Sequence, residues 1–365
     1  MGRGVKIAVV QPKVDRSGGA EAYALGLVGE LARRGHEVHV FARRAEGLPE
    51  GVRFHRVPSV PFGRALKTFS FWRLTERRVR PGAFDVVHGA GKTTCQTVHR
   101  CGGGVHRAYL GREGKAARSA YDRVVLRIED RLFASPNLRA VVCPSRWVAE
   151  EVERFYPEVA TRIRIIPNGV DTQRFTPEGR EEARAEVCRA LGIPVDARIL
   201  LFVGTNFRLK GLDLAVEALA HLTGAHLVVV GGDAPGPFVA QAREFGCDDR
   251  VHFVGPQREM ARWYRAADVL VHPTRYDPFA NVCLEALACG TPVVTTPANG
   301  VGDLLKCAAG AGVVVAADAA TVSWAVDSLI RGGVNARRSA RRLAEGVGWD
   351  DHVTRLEVLY RSVRL

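Results

Sequence analysis

Twice along the 365 residues, a short apolar run is followed by a glycine-bearing loop, an amphipathic stretch and a second apolar run. The first copy opens at Lys6–Gln11, where Ile7, Ala8, Val9 and Val10 leave no alternation for a solvent face. A strand written this way is buried on both sides, as in a parallel sheet. Pro12–Gly19 is turn-rich. Ala20–Arg34 then carries Ala24, Leu27, Val28 and Leu31 at helical spacing, with Gly35 placed to end the helix. Glu37–Ala42 is the next strand. Strand, loop, helix and strand make a βαβ unit, which closes into a parallel sheet through right-handed crossovers. Further strands are expected at Val52–Val57, Val86–His88 and Val141–Pro144. The second copy starts at Ile199–Val203, after the segment Ile165–Asp171. It continues with the loop Gly204–Gly211, a helix to Leu222, strands at His226–Val230, Val251–Val254 and Val269–His272, a helix from Asn281 and a strand at Val293–Thr295. The chain length suits two domains. The pattern predicts an α/β protein with domains over 1–170 and 171–345, and a C-terminal helix over 346–365 that packs back on the first.

Charge separates the two halves. Up to Val170 there are 30 Lys and Arg against 16 Asp and Glu; beyond it there are 22 against 23. The net charge of +13 therefore belongs to the first half, which implies an anionic partner there: a membrane surface, an acidic substrate or nucleic acid. Two segments concentrate it. Phe62–Arg80 sets Phe69, Phe71 and Trp72 among Arg64, Lys67, Arg73, Arg77, Arg78 and Arg80. His106–Phe133 sets Tyr109, Tyr121, Val125 and Leu126 among Arg107, Arg112, Lys115, Arg118, Arg123, Arg127 and Arg131. Such segments suit docking on an anionic membrane surface. Interleaved aromatics and cations also suit nucleic acid, but the acidic pair described next has no use there, and nucleic acid is not the expected partner. No apolar run approaches the roughly 18 residues of a spanning helix, and no charged-then-apolar leader opens the sequence. Eight cysteines without a Cys-x-x-Cys pair do not form a disulfide frame, so a reduced, cytosolic protein is expected.

Three glycine loops follow strand ends: Gly18-Gly19, Gly204–Gly211 and Gly231-Gly232-Asp233. Ligands of open parallel sheets bind beyond those ends, where backbone amides can meet phosphates. Gly89-Ala90-Gly91-Lys92-Thr93-Thr94 only imitates a P-loop, because Val86 stands where the first glycine is required. Cys95, His99, Cys101 and His106 match no zinc spacing, and no Asp-x-Asp pair is present to hold a divalent metal on a diphosphate. No metal and no cofactor are expected; Lys, Arg and helix N-termini must meet the charge. The densest chemistry lies between Val269 and Thr296. Asp277 and Glu285 stand eight apart, Pro278 opens a turn, and a helix begins near Asn281. Asp277 then sits at the helix N-terminus and Glu285 about one turn inside, with the amides of Ala280, Asn281, Val282 and Cys283 left for an anion.

These residues resemble the family-4 glycosyltransferases, retaining enzymes of the GT-B fold: two Rossmann-like domains whose parallel sheets face across a cleft. The family signature is two acids separated by seven residues in a Glu-Pro-Phe-Gly context; here it reads Asp277-Pro278-Phe279-Ala280 and ends at Glu285. The resemblance implies that Asp277 contacts the donor sugar and Glu285 the ribose, with Phe279 to Cys283 beside the donor. A second family element, Gly-Arg-Leu-x-x-x-Lys-Gly, is matched at Gly204, Lys210 and Gly211. Its arginine is replaced by Thr205, so Arg208 is expected to supply the guanidinium. Gly18 and Gly19 match the family's Gly-Gly loop, and His106, in Gly102–Leu110, matches a histidine near the reacting sugar. Together with Tyr276–Phe279 that stretch looks most like lipopolysaccharide-core glucosyltransferases acting on heptose. The resemblance thus implies transfer of glucose from UDP-glucose to a lipid-linked saccharide, by an enzyme peripheral to the inner face of the cytoplasmic membrane. Lys210, Arg208 and the amides around Val282 would stabilise the departing diphosphate. Two alternatives stay open: a glycosyltransferase of another cell-surface polysaccharide or glycolipid, and a nucleotide-sugar epimerase of the same fold, which would turn donor over without acceptor. A phosphorylase would need pyridoxal phosphate and a longer chain.

Overall fold

A computed structural model describes residues 4–80, 82–112 and 119–364. The chain divides into two compact units, Met1–Gly169 with Trp349–Leu365, and Val170–Gly348. The division falls at 169/170 and 348/349 rather than at the expected 170/171 and 345/346. The last helix, Trp349–Ser362, belongs to the first unit. The second unit is therefore inserted within the first.

Among the described residues, the sheet of the first unit holds seven parallel strands. Their order is Arg53–Arg56, Glu37–Ala42, Lys6–Val10, Val86–Gly89, Val98–Arg100, Ala140–Cys143 and Ile163–Ile165. Helix Gly19–Arg33 buries Tyr23, Ala24, Leu27, Val28 and Leu31, the face its apolar spacing marked. It stops where Gly35 takes φ +81°, a left-handed turn that glycine adopts without a Cβ clash. Val353, Leu356 and Tyr360 of the last helix pack into the same core as Ile7, Val9 and Leu27. Polar pairs fix that helix. Tyr23 Oη lies 2.8 Å from His352 Nε2, His352 Nδ1 lies 2.6 Å from the Pro167 carbonyl, and Tyr360 Oη lies 2.8 Å from His88 Nδ1. Burial pushes both imidazoles down to about 3, so each is neutral and can share one hydrogen with its partner.

The basic segments are more buried than their composition suggested. Phe71 and Trp72 are core residues at 3% and 1% exposure, and Val125 is buried with them at 2%. What remains outward is Phe62, Leu66 and, in part, Phe69. Lys115 and Arg118 lie outside the described residues. No helix among the described residues is long and apolar enough to cross a membrane.

In the second unit six parallel strands are described, in the order Val251–Gly255, Ala225–Val230, Arg198–Val203, Val269–His272, Val293–Thr295 and Gly312–Val314. Numbered along the unit this is 3-2-1-4-5-6. The order reverses between Arg198–Val203 and Val269–His272, and ligands of such sheets sit outside the strand ends at that switch. Alternation along the first strand builds both faces: Ile199, Leu201 and Val203 enter one core, Leu200 and Phe202 the other.

Candidate active site

At the switch point the chain leaves strand Val269–His272 and turns through Asp277 into helix Asn281–Ala288. Asp277 is held on all sides. Its amide donates to the Ala298 carbonyl at 2.9 Å, and its own carbonyl accepts from Gly300 at 3.0 Å. Oδ1 accepts the Phe279 amide at 3.2 Å. Oδ2 accepts from Lys210 Nζ at 2.7 Å and lies 3.3 Å from His272 Nε2. Burial alone would raise the pKa of this carboxyl; the Lys210 charge and the His272 hydrogen bond outweigh it and hold it at about 2. Asp277 is thus an anion at the mouth of a sheet.

Lys210 reaches Asp277 because its loop is tightly folded. Asn206 takes φ +61°, accepts the Lys210 amide on its carbonyl at 3.1 Å and the Leu209 amide on Oδ1 at 3.3 Å. Phe207, 1% exposed, anchors the loop in the core, and its amide donates to Asp233 Oδ2 at 2.9 Å. Two glycines permit close approach. A Cβ on Gly211 would lie 2.1 Å from the Pro273 carbonyl oxygen, and one on Gly231 would lie 1.9 Å from the Gly204 carbonyl oxygen. Thr205 and Arg208 are exposed. The Arg208 carbonyl accepts from Arg275 Nη1 at 2.6 Å, whereas its guanidinium forms no ion pair among the described residues. The structure brings Lys210 to Asp277 and does not bring Arg208.

Glu285 is half-buried and accepts from Tyr264 Oη at 2.7 Å. Desolvation raises its pKa to about 7, with the Tyr264 hydrogen bond and the Arg174 charge opposing. The expectation that the amides of Ala280 to Cys283 stand ready for an anion needs correction. Ala280 donates to Asn299 Oδ1 at 3.2 Å, and Cys283 donates to the Ala280 carbonyl at 3.0 Å. Asn299 caps this helix from outside, also accepting the Val301 amide and donating to Thr295 Oγ1 at 3.0 Å. Two of the four amides are already spent. Phe279 and Cys283 are themselves core residues, at 6% and 0% exposure.

In the first unit Gly18 precedes helix Gly19–Arg33 with no side-chain cap of its own. His106 opens helix His106–Arg112, whose first amides are met by one carboxylate: His106 donates to Glu129 Oε2 at 2.7 Å and Arg107 to Oε1 at 3.1 Å. Its ring nitrogen Nε2 lies 3.0 Å from Asp122 Oδ1. Burial lowers the imidazole pKa and the Lys92 charge adds to this, against the pull of Asp122. Among the described residues no three His, Cys, Asp or Glu side chains gather as a metal-ligand set. His272, Tyr264, Asn299, Asp122 and Glu129 escaped the sequence reading; His272 was visible only as a strand end.

Two doubly wound units, one with a lysine–carboxylate pair at its topological switch, define a GT-B transferase architecture, and comparison with known proteins agrees. Residues 17–174 match Glycosyltransferase Family 4 and residues 184–346 match Glycosyl transferases group 1. A D-inositol 3-phosphate glycosyltransferase of Xylanimonas cellulosilytica is 34% identical over 80% of this chain and 78% of its own. The crystal structure of WaaG, a glycosyltransferase involved in lipopolysaccharide biosynthesis, superposes with TM-score 0.80 at 23% identity, covering 93% of this chain and 95% of WaaG. Anabaena Alr3699/HepE in complex with UDP and glucose superposes with TM-score 0.74 at 16% identity, covering 97% and 99%. The chain belongs to the family-4 glycosyltransferases.

Proposed function

We propose that this glycosyltransferase moves glucose from UDP-glucose to a hydroxyl of a lipid-linked saccharide, with retention of configuration and without a metal ion. The observation that carries the reading is the Lys210–Asp277–His272 cluster at the switch point, with Glu285 on the following helix. Asp277 offers an ionised acceptor to sugar hydroxyls. Lys210 balances it and can turn toward a diphosphate, which gains negative charge as the glycosidic bond breaks. Arg208 is exposed on the same loop and free to join it. The departing phosphate oxygen takes the acceptor's proton, since no protein base is required on that face. The first unit, which carries His106 and the excess positive charge, binds the acceptor. WaaG's part in lipopolysaccharide biosynthesis supports a lipopolysaccharide-core acceptor, with the enzyme resting on the inner face of the cytoplasmic membrane. A second reading, an inositol phosphate acceptor, is supported by the name of the relative from Xylanimonas.

The deciding experiment incubates the full chain with UDP-glucose and either heptosyl lipid or inositol phosphate, and reads the anomeric configuration of the product by NMR. An α-glucoside on the lipid supports the reading. A β-glucoside refutes retention, and donor turnover without acceptor points to an epimerase. Activity should persist in excess EDTA; strict dependence on a divalent ion would overturn the assignment of diphosphate charge to Lys210 and Arg208.

Glu285 gives a pH signature. Ribose hydroxyls donate best to a carboxylate, and this carboxyl ionises at about 7. UDP-glucose affinity should therefore rise as pH passes through neutrality. Tyr264→Phe removes a hydrogen bond that favours the ionised form, so the midpoint should move to higher pH. Calorimetric titration across that range checks both; a flat profile in wild type contradicts the ribose role.

A further inference from the structure

The P-loop imitation borders a cavity. At the carboxyl ends of strands Lys6–Val10, Glu37–Ala42 and Val86–Gly89, the first unit contains a cavity of about 320 Å³. Gln11, Arg43, Arg64, Lys67, Lys92 and Tyr121 line it. Four of these are cations, and no carboxylate is among its described lining residues. The Tyr121 ring carries two of them, with the Arg64 guanidinium 4.3 Å and Lys92 Nζ 5.6 Å from its centroid. Two buried polar atoms of the lining have no partner among the described residues: the Gln11 carboxamide oxygen and Arg43 Nε. Gln11 is only 6% exposed. Burial pushes the Arg43 guanidinium below its ordinary pKa, against the pull of Glu21. Buried groups left unpaired cost about 1–3 kcal/mol each, and neighbouring like charges repel. An anion carrying a hydroxyl would relieve both. Gly91 belongs to the same wall: a Cβ there would lie 2.8 Å from Pro12 Cδ and 3.6 Å from Gln11 Oε1.

An apolar groove adjoins this cavity and shares Arg64 and Tyr121 with it. Phe62 and Leu66 line it at 74% and 55% exposure. A soluble sugar phosphate would have no use for those two side chains. A plain anionic surface would have no use for Arg43 Nε and the Gln11 oxygen, which lie below it. We propose that the cavity binds the phosphoryl group of a membrane-lipid acceptor while Phe62 and Leu66 lie against its apolar portion. The phosphoryl oxygens accept from Arg43, Arg64, Lys67 and Lys92, and a neighbouring hydroxyl donates to Gln11. Naming the lipid as acceptor rests on the glycosyl-transfer reading; the phosphoryl site itself does not.

The test uses the full chain and phosphatidylcholine vesicles in which one lipid in five is phosphatidic acid. Lys67→Gln with Lys92→Gln should weaken co-sedimentation by about tenfold or more, since each removes a charge-assisted contact. Arg73→Gln with Arg77→Gln removes the same charge outside the cavity, from the helix that carries Lys67, and should cost about threefold or less. Phe62→Ser with Leu66→Ser should weaken vesicle binding while leaving any calorimetric affinity for glucose 6-phosphate unchanged. Equal losses in the two charge pairs would overturn the proposal in favour of diffuse surface attraction. Glucose 6-phosphate binding as tight as the vesicles, with no effect of the serine pair on either, would overturn it in favour of a soluble acceptor. UDP binding, measured on every variant, monitors the second unit: its retention ties any loss to the cavity. Absence of UDP binding in wild type would refute UDP-glucose as the donor and leave the phosphoryl site standing on the vesicle result.

Discussion

Lys210→Ala should weaken UDP-glucose binding tenfold or more. A charge-assisted hydrogen bond is worth about 1.5–3 kcal/mol, and this substitution removes the cation to which the proposed function assigns the diphosphate. It also strands Asp277. The carboxyl of Asp277 sits at about 2 in the folded chain against an ordinary 3.8. A depressed carboxyl pKa contributes stability that is fully present above about pH 4 and lost as pH falls towards 2. At 1.36 kcal/mol for each pKa unit, the contribution is about 2 kcal/mol. The stability gap between wild type and Lys210→Ala should therefore be widest near neutrality and close on acidification. Calorimetry with UDP-glucose and thermal melts at neutral and acid pH measure the two effects. Wild-type donor affinity in the variant would remove Lys210 from the site.

Gly211→Ala should be among the most damaging single methyl additions in the second unit. Gly211 takes φ +81°, where a side chain costs about 1–2 kcal/mol. The added carbon would also lie 2.1 Å from the Pro273 carbonyl oxygen, part of a backbone that cannot swing away as a side chain would. The loop bearing Lys210 must then separate from the strand end bearing His272. A loss of about 3 kcal/mol or more follows, since overpacking adds to the backbone term. For a unit of this size that is a drop in Tm of roughly 6–12 °C. Gly232→Ala is the control: its new carbon meets nothing within 4 Å. An unchanged Tm for Gly211→Ala, by scanning calorimetry, would show that the loop is not pinned against Pro273.

The strands most legible in the sequence are those that need burial on both faces. Ile7–Val10, Ile199–Val203 and Val269–Val271 are unbroken apolar runs because no side of them meets water. The three-residue strands Val98–Arg100 and Gly312–Val314 carry too little pattern, and Ile163–Ile165 is an edge strand whose last two residues are exposed. Their pairing is decided by the neighbours they meet. The same divide runs through the site. Asp277, Glu285 and Lys210 form a pattern of residue types at fixed spacing and can be read locally. The partners that set their charge cannot. Lys210 and Asp277 are 67 positions apart, and Tyr264 precedes Glu285 by 21. Asn299 caps the Asn281 helix from 19 positions beyond Ala280, so amides judged open from the local sequence are closed by the fold. In Phe62–Arg80, composition marks a basic segment rich in aromatics but not which aromatics turn inward; Phe71 and Trp72 do, and Phe62 does not.

During synthesis, the interrupted first unit emerges early and finishes last. Tyr23 must wait for His352, 329 residues behind it, and His88 for Tyr360, 272 behind. At 5–20 residues per second the first of these waits lasts roughly 15–65 s. The second unit has no such wait: Val170–Gly348 is continuous, and a backbone bridge joins Val170 to Gly348 where the insert leaves and re-enters. It can close while the nascent first unit still lacks the apolar face of its final helix. Through that interval Leu27, Val28 and their neighbours are what a ribosome-bound chaperone would meet. A transcript truncated after Gly348 would yield a complete second unit tethered to a first that can never seal its own core.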